Sequence, residues 1–226
     1  METSLHRQLK QMYAPGDARL EVPLGAYRID VVRDDELIEI QHGSLSAIRD
    51  KIQTLLRKHR VRVVKPIIAC KTLVQQKSKG GAVLRRRKSP KKGRLLNLFD
   101  ELIYFTGVFP HDRLTLEVLL VEIEELRYPG HGRRRWRHQN DFQIEDQTLV
   151  GIREVRPLRT SADLRTFLPP RLPQPFHTGH LAKSLGVDRQ IAQRMVYCLR
   201  HAGTLRQNGK QGHALLYEFA DQADAA

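Results

Sequence analysis

Residues 19–41 read as three short strands in direct succession. Few folds accept that arrangement with a helix and a buried strand following at once. Arg19 to Leu24 alternates Leu20, Val22 and Leu24 with Arg19, Glu21 and Pro23, the period of two that marks a half-buried strand. Gly25 breaks the run. Ala26 to Arg33 repeats it, with Tyr27, Ile29 and Val31 on one side and Arg28, Asp30 and Val32 on the other. Asp34-Asp35 makes a polar turn, and Glu36 to Gln41 then sets Ile38 and Ile40 against Leu37, Glu39 and Gln41. Connections this short join neighbouring antiparallel strands, so the stretch predicts a meander. Before it, Ser4 to Tyr13 places Leu5, Leu9 and Met12 at helical spacing, and Pro15-Gly16 ends the helix. After it, Ser44 is the candidate N-cap of a helix whose stripe is Leu45, Ile48, Ile52, Leu55 and Leu56, with Lys58-His59-Arg60 at its C-terminal end. Val61 to Ile68 is nearly continuous apolar sequence and reads as a buried strand, with Pro66 marking its end or an edge. The order helix, three strands, helix, strand predicts an α/β core.

The pattern breaks between Lys79 and Arg94. Residues 85–94 carry Arg85, Arg86, Arg87, Lys88, Lys91, Lys92 and Arg94 around Ser89-Pro90, which reads as a loop or mobile hairpin tip. Leu95 to Phe105 reads as a helix and Leu114 to Leu126 as a long strand. Arg133, Arg134, Arg135 and Arg137 surround Trp136, the sole tryptophan, in a second basic loop. Proline-rich 168–175 is the best linker candidate. Beyond it, Thr178 to Leu185 reads as a short helix with Thr178 as N-cap and Gly186 as its stop, and Asp188 caps a longer helix to His201. Thr204 to Gln207 and His213 to Phe219 flank Asn208-Gly209-Lys210-Gln211-Gly212, a hairpin signal.

Composition narrows the classes. Lys and Arg number 39 against 25 Asp and Glu, a formal net charge of +14. Because the excess is blocky, it points to a polyanionic partner. Hydrophobic content of 40% supports an ordinary core. Cys70 and Cys198 belong to no CxxC motif, so a zinc knuckle or redox dithiol is unsupported and both are expected as buried, reduced thiols. The N-terminus lacks the apolar stretch of a signal peptide. No run long enough to span a membrane exists, so a cytoplasmic location and no membrane partner are expected. There is no P-loop motif and no Gly-x-Ser-x-Gly elbow. His177 and His180 lie in HTGH rather than His-Glu-x-x-His, which favours helix capping over metal ligation.

Asp30 and Glu39 carry the chemistry. If residues 26–33 and 36–41 pair through the Asp34-Asp35 turn, Asp30 lies close to Glu39, while Glu39 and Gln41 share a face. Two close carboxylates repel unless a cation neutralises them. Magnesium accepts one or two carboxylates, keeps its waters and bridges to phosphate. This stretch resembles the PD-(D/E)XK nuclease superfamily over roughly residues 1–75. That family's core is a helix, a three-strand meander, a helix and a strand, and its motif is an acid, a gap and Glu-x-Lys. Asp30 matches the first acid, Glu39 the second, and Gln41 stands in the lysine position. Glu21 matches an extra acid that some members carry. The resemblance implies Mg2+ (or Mn2+) held by Asp30 and Glu39, with Gln41 orienting water. A glutamine amide carries no charge and is no base, although some restriction endonucleases of this superfamily have glutamine there and remain active. Arg28, whose other reading is a phosphate anchor, and Lys51, whose other reading is a solvated helix face, are candidate replacement cations.

The tail resembles a winged-helix domain over roughly 160–220. Ile191, Met195 and Leu199, with Ala192 and Val196, form one apolar face. Arg189, Gln190, Gln193, Arg194 and Tyr197 lie opposite, where a recognition helix meets the major groove, and Lys210 suits a wing tip on phosphate. Winged helices also mediate protein contacts. Trp136 either stacks on an unpaired base or anchors its loop. The expected fold class is therefore α/β. It combines a restriction-endonuclease-like mixed sheet flanked by helices (1–155, carrying basic insertions) with a small α+β winged-helix domain (156–226). The expected function is a metal-dependent DNA endonuclease acting on duplex or branched DNA, with a homodimer left open. Its rivals are a nuclease-fold DNA-binding protein without activity and a protein-interaction adaptor.

Overall fold

The computed structural model describes residues 2–130 and 141–220. The Arg133 to Arg137 block and Trp136 lie outside the described residues. The protein is a mixed α/β molecule with a large mixed sheet flanked by helices and a small C-terminal hairpin region. Helix α1 (Ser4–Tyr13) precedes β1 (Arg19–Leu24), β2 (Tyr27–Arg33) and β3 (Glu36–Ile40). A 3-10 turn (Leu45–Ile48) leads into α2 (Arg49–Leu56), then β4 (Arg60–Gln76) and β5 (Val83–Lys88). After a second 3-10 turn (Leu95–Leu98) come α3 (Phe99–Leu102), β6 (Leu114–Pro129), β7 (Phe142–Leu158) and α4 (Ser161–Arg165). The chain closes with α5 (Thr178–Leu185), α6 (Arg189–His201), β8 (Leu205–Gln211) and β9 (Ala214–Phe219). The large sheet runs β1-β2-β3-β4-β6-β7, with β5 paired to β4; β8 and β9 pair separately.

Contacts divide the chain into two compact units. The first holds Met1–His42, Val64–Leu95 and Val118–Arg156, the second Gly43–Val63, Leu96–Glu117 and Pro157–Ala226. The meander of the first unit closes as two-residue hairpins, with Leu24 opposite Tyr27 and Arg33 opposite Glu36. Gly25 takes φ +59 and Asp34 φ +51 in these turns, conformations that glycine adopts freely and aspartate tolerates. Leu5 and Leu9 of α1 pack with Val31, Ile38, Ile40, Val64, Leu119, Val121 and Ile123, and Tyr13 closes the row from the rim. The core-facing stripe of α1 is thus 5-9-13, with Tyr13 half-buried. Met12, expected inside, is 53% exposed, although the i, i+4, i+7 spacing keeps it within about 20° of Leu5 around a 3.6-residue helix.

Two strand readings need correction. Pro66 does not end β4, which continues to Gln76. The Gln41 amide donates to the Val64 carbonyl at 2.9 Å, and β3 stops at Ile40. Because N–H groups of residues i and i+2 leave a strand on the same side, the donor Pro66 lacks faces ground that β3 has already vacated. Nor are residues 85–88 a loop: β5 pairs antiparallel with β4 from Thr72↔Lys88 to Gln75↔Arg85. The chain then crosses β4 at Gly93, whose amide donates to the Ile68 carbonyl at 3.0 Å. A Cβ there would stand 2.4 Å from the Ile68 oxygen, so only glycine fits.

In the second unit, Phe99 meets Phe167 edge to face at 5.4 Å, and Phe176 lies against Tyr217 and Phe219. Proline-rich 168–175 belongs to this unit on both flanks. The α5 cap is His177, not Thr178: its Nδ1 accepts from the amides of Gly179 and His180. An imidazole acceptor performs here the task expected of a hydroxyl. Gly186 ends α5 at φ +60. Asp188 holds the α6 N-cap position without a side-chain cap bond. Cys198 is buried, and burial pushes its thiol up to about 12. Cys70, expected buried, is half-buried on β4.

Candidate functional site

Strand register lines up three acids. Leu20↔Val31 and Val22↔Ile29 bracket the point where Glu21 stands across from Asp30. Extending Val31↔Ile38 by one residue sets Asp30 across from Glu39. Glu21, Asp30 and Glu39 therefore form one row across β1, β2 and β3. Glu21 itself takes φ +54 within β1, a left-handed conformation unusual for a non-glycine residue. The paired rungs of β2 and β3 run only from Val31↔Ile38 to Arg33↔Glu36. Beyond them the Asp30 side chain replaces a backbone acceptor, its Oδ2 taking the Ile40 amide at 2.8 Å. Glu39, one residue earlier, is buried at 5% exposure.

Helix α1 borders this row with residues that motif reading passed over. Glu2, just before α1, and His6 and Lys10 on it repeat at i, i+4, i+8 beside the 5-9-13 stripe. His6 Nε2 lies 3.3 Å from Asp30 Oδ1 and 3.6 Å from Glu2 Oε1. The Lys10 ammonium pairs with both Glu2 and Glu21. Burial opposes ionisation of Asp30, but the His6 and Ile40 hydrogen bonds and the Lys10 charge outweigh it. The carboxyl is held below its ordinary range and is ionised at neutral pH. A cleft of about 440 Å³ is lined by Glu2, Thr3, His6, Lys10, Glu21 and His42. Burial, then the charges of Lys65 and Lys71, hold the His42 imidazole below its usual range, which leaves it neutral at pH 7. Lys65 is buried on β4 and donates to the His42 carbonyl at 3.1 Å. The i, i+4 repeat of Glu2, His6 and Lys10 was the available sequence signal for α1's part. The place of Lys65 depends on strand pairing, which leaves no local trace.

The remaining candidates belong to both compact units. Gln41 is half-buried, with its amide nitrogen held by Val64. Arg28 is exposed and lies 2.8 Å from Glu21 Oε2 through its Nε. Lys51 lies on α2, in the second compact unit. Arg85, Arg86, Arg87 and Lys88 line exposed β5, followed by exposed Lys91 and Lys92. Arg86 pairs with Glu124 at 2.8 Å. In the second unit, Arg189, Gln190 and Gln193 are exposed on α6 and Lys210 on β8. The Arg194 guanidinium is instead ion-paired with Asp100 beside α3. His177 and His180 stack at 3.7 Å in their capping segment. Among the described residues no group of three or more His, Cys, Asp or Glu is arranged to hold a metal ion, and no helix is long and apolar enough to cross a membrane.

Fold and site define a mixed α/β protein with a row of carboxylates across a three-strand meander and a helix of charged residues along its rim. Residues 3–159 match the family described as Domain of unknown function (DUF8091), and the chain belongs to that family. It is 29% identical over 226 residues to an "Uncharacterized protein" of Treponema pallidum (strain Nichols), an alignment covering 99% of this chain and 87% of the relative. No solved structure matches the chain.

Proposed function

We propose that this chain is a divalent-metal-dependent DNA nuclease whose reacting site is centred on Asp30 and Glu39. The observation that carries the reading is the fork between β2 and β3. There the Asp30 carboxylate, not a backbone carbonyl, accepts the Ile40 amide, one residue from Glu39. A carboxylate inserted into a strand ladder pre-positions a charged group that an ordinary sheet has no use for. Asp30 and Glu39 would hold the ion. Their oxygens are hard donors, magnesium needs only one or two carboxylates beside its waters, and Asp30 is already ionised as a ligand must be. When bound, such an ion makes water nucleophilic and offsets charge building on phosphate.

The chain's own residues supply the rest. Asp30 is fixed from two sides by His6 and the Ile40 amide. The Gln41 backbone is pinned to β4, so its side chain starts from a rigid base from which an amide can orient a water. The exposed cations of β5 would track the phosphate backbone, and α5, α6 and the β8–β9 hairpin would act as a winged-helix module for DNA. Arg194 contributes less than its place on α6 implies, because Asp100 already neutralises it.

The test is cleavage of duplex, single-stranded and branched DNA with Mg2+ or Mn2+, comparing wild type with Asp30→Asn and Glu39→Gln. Both near-isosteric variants are expected to lower the single-turnover rate about 100-fold or more, a barrier rise of about 3 kcal/mol. Equal cleavage by all three proteins would remove the site assignment. A second reading, DNA binding without turnover, is favoured by one observation: Glu21 is neutralised by Lys10 and Arg28 rather than standing ready for a metal. It predicts salt-dependent binding with no metal-dependent cleavage of any substrate.

A further inference from the structure

With glutamine at position 41, Asp30 and Glu39 lack the cation that a lysine there would bring. Arg28 is held by Glu21 at the solvent edge. Lys10 differs from it. It is 6% exposed, yet it lines the cleft shared with His6 and His42. A lysine so deeply set requires compensation, and Glu2 and Glu21 provide it. An ammonium carries three N–H donors. Two meet those carboxylates, which leaves one for a ligand in the cleft. The Lys10 charge also acts on Asp30, so cation and carboxylate share one electrostatic neighbourhood.

We infer that Lys10 is the phosphate-contacting catalytic cation of this site, donating its third N–H to a non-bridging oxygen of the scissile phosphodiester, with Glu21 as the residue that positions it. The inference rests on the nuclease reading for its chemistry, but the contact with phosphate is testable apart from it. An ammonium on a non-bridging oxygen stabilises charge that grows as the water oxygen bonds to phosphorus and the leaving oxygen departs. A glutamine at position 41 is then sufficient, because its part is reduced to orienting water.

The experiment compares wild type, Lys10→Met and Lys10→Gln; the glutamine can still donate to Glu2 and Glu21. Three quantities are measured: single-turnover DNA cleavage in Mg2+, the Kd for the same DNA without metal, and binding of inorganic phosphate followed by 31P NMR. The expected result is a rate lowered about 100-fold or more with Kd within about threefold, and loss of phosphate binding in both variants. Should Lys10→Met fail to fold, judged by circular dichroism, Lys10→Gln alone decides. A variant that folds and cleaves within about threefold of wild type overturns the inference while leaving the nuclease reading intact. If wild type cleaves no DNA, that reading fails and phosphate binding decides for Lys10. Binding abolished in the variants supports the contact, and binding absent in wild type or unchanged in the variants overturns it.

Discussion

Glu21 is the residue whose backbone and side chain disagree most. Its φ of +54 places a non-glycine residue in the left-handed region, at a cost of about 1–3 kcal/mol. The return is a carboxylate delivered to Lys10 and Arg28. Replacing Glu21 therefore removes two opposing contributions, and two variants separate them. Glu21→Ala and Glu21→Gly lose the ion pairs equally, but only glycine accepts the left-handed angle without strain. Urea unfolding should find Glu21→Gly more stable than Glu21→Ala by about 1 kcal/mol. Alanine equal to or better than glycine would mean that the strand relaxes to ordinary geometry once the side chain is gone. This strain was not legible in the sequence. The alternation around Leu20 and Val22 gives no reason for one residue inside a strand to invert, and the partner of its carboxylate, Lys10, lies on another element.

At the scale of elements, α1 and the residues leading into it present three rows. Row 5-9-13 enters the core and row 2-6-10 borders the cleft. Row 4-8 docks on β7: the Ser4 amide donates to Asp146 Oδ1 at 2.7 Å, and Gln8 Oε1 accepts from the Leu149 amide at 2.8 Å. The span of α1 was legible from its apolar spacing and the Pro15-Gly16 stop. Its partner strand was not. β7 (Phe142–Leu158) is an edge of the sheet with few buried side chains. Ile144, Val150 and Val155 are among its exposed residues, so no clean inward–outward alternation marks it. β5 escaped for a related reason, because six exposed residues, four of them cationic, leave a strand defined by hydrogen bonds alone. The meander and the Asp30–Glu39 pair were readable because turn chemistry and periodicity agree there.

The Asp146 contact makes α1 sensitive to acid. Burial raises the pKa of this carboxyl, but hydrogen bonds from Ser4 and from the Gln147 amide, with the charge of Arg7, win and hold it below the ordinary range. A group with a depressed folded pKa stabilises fully above its unfolded value and loses that contribution as pH falls through the folded one. Asp146→Ala should destabilise the protein by about 1 kcal/mol at pH 7, the scale of a lost helix-terminal acceptor. That difference should shrink once the pH drops below about 4. Urea titrations of both proteins at pH 7 and in acid measure it, and a gap that stays constant or widens in acid would contradict the assignment.

Across the whole molecule, the sequence order of the chain and its compact units diverge. β4, β6 and β7 each have residues in both units, so each unit is assembled from three separated stretches. Of the steps between units, the one between Leu95 and Leu96 follows the end of the basic block 85–94, and none falls in proline-rich 168–175. Charge, by contrast, is legible at this scale, because the +14 excess needs no fold to be read. The structure adds which cations are committed. Arg86 is held by Glu124, whereas Arg85, Arg87 and Lys88 stand exposed on the same strand. Under the DNA-binding proposal, each cation that neutralises a phosphate contributes about 0.9 to the slope of log K against log salt. Replacing Arg85, Arg87 and Lys88 together by glutamine should lower that slope by about 2 to 3, weakening binding similarly for all DNA sequences. Arg86→Gln alone should change it by well under one unit, since Glu124 already neutralises that cation. Fluorescence-anisotropy titrations between about 50 and 200 mM salt give both slopes. A slope unaltered by the triple replacement would take β5 out of the DNA-binding surface. No measurable salt-dependent affinity in wild type would leave the adaptor reading, in which α5, α6 and the hairpin meet a protein partner.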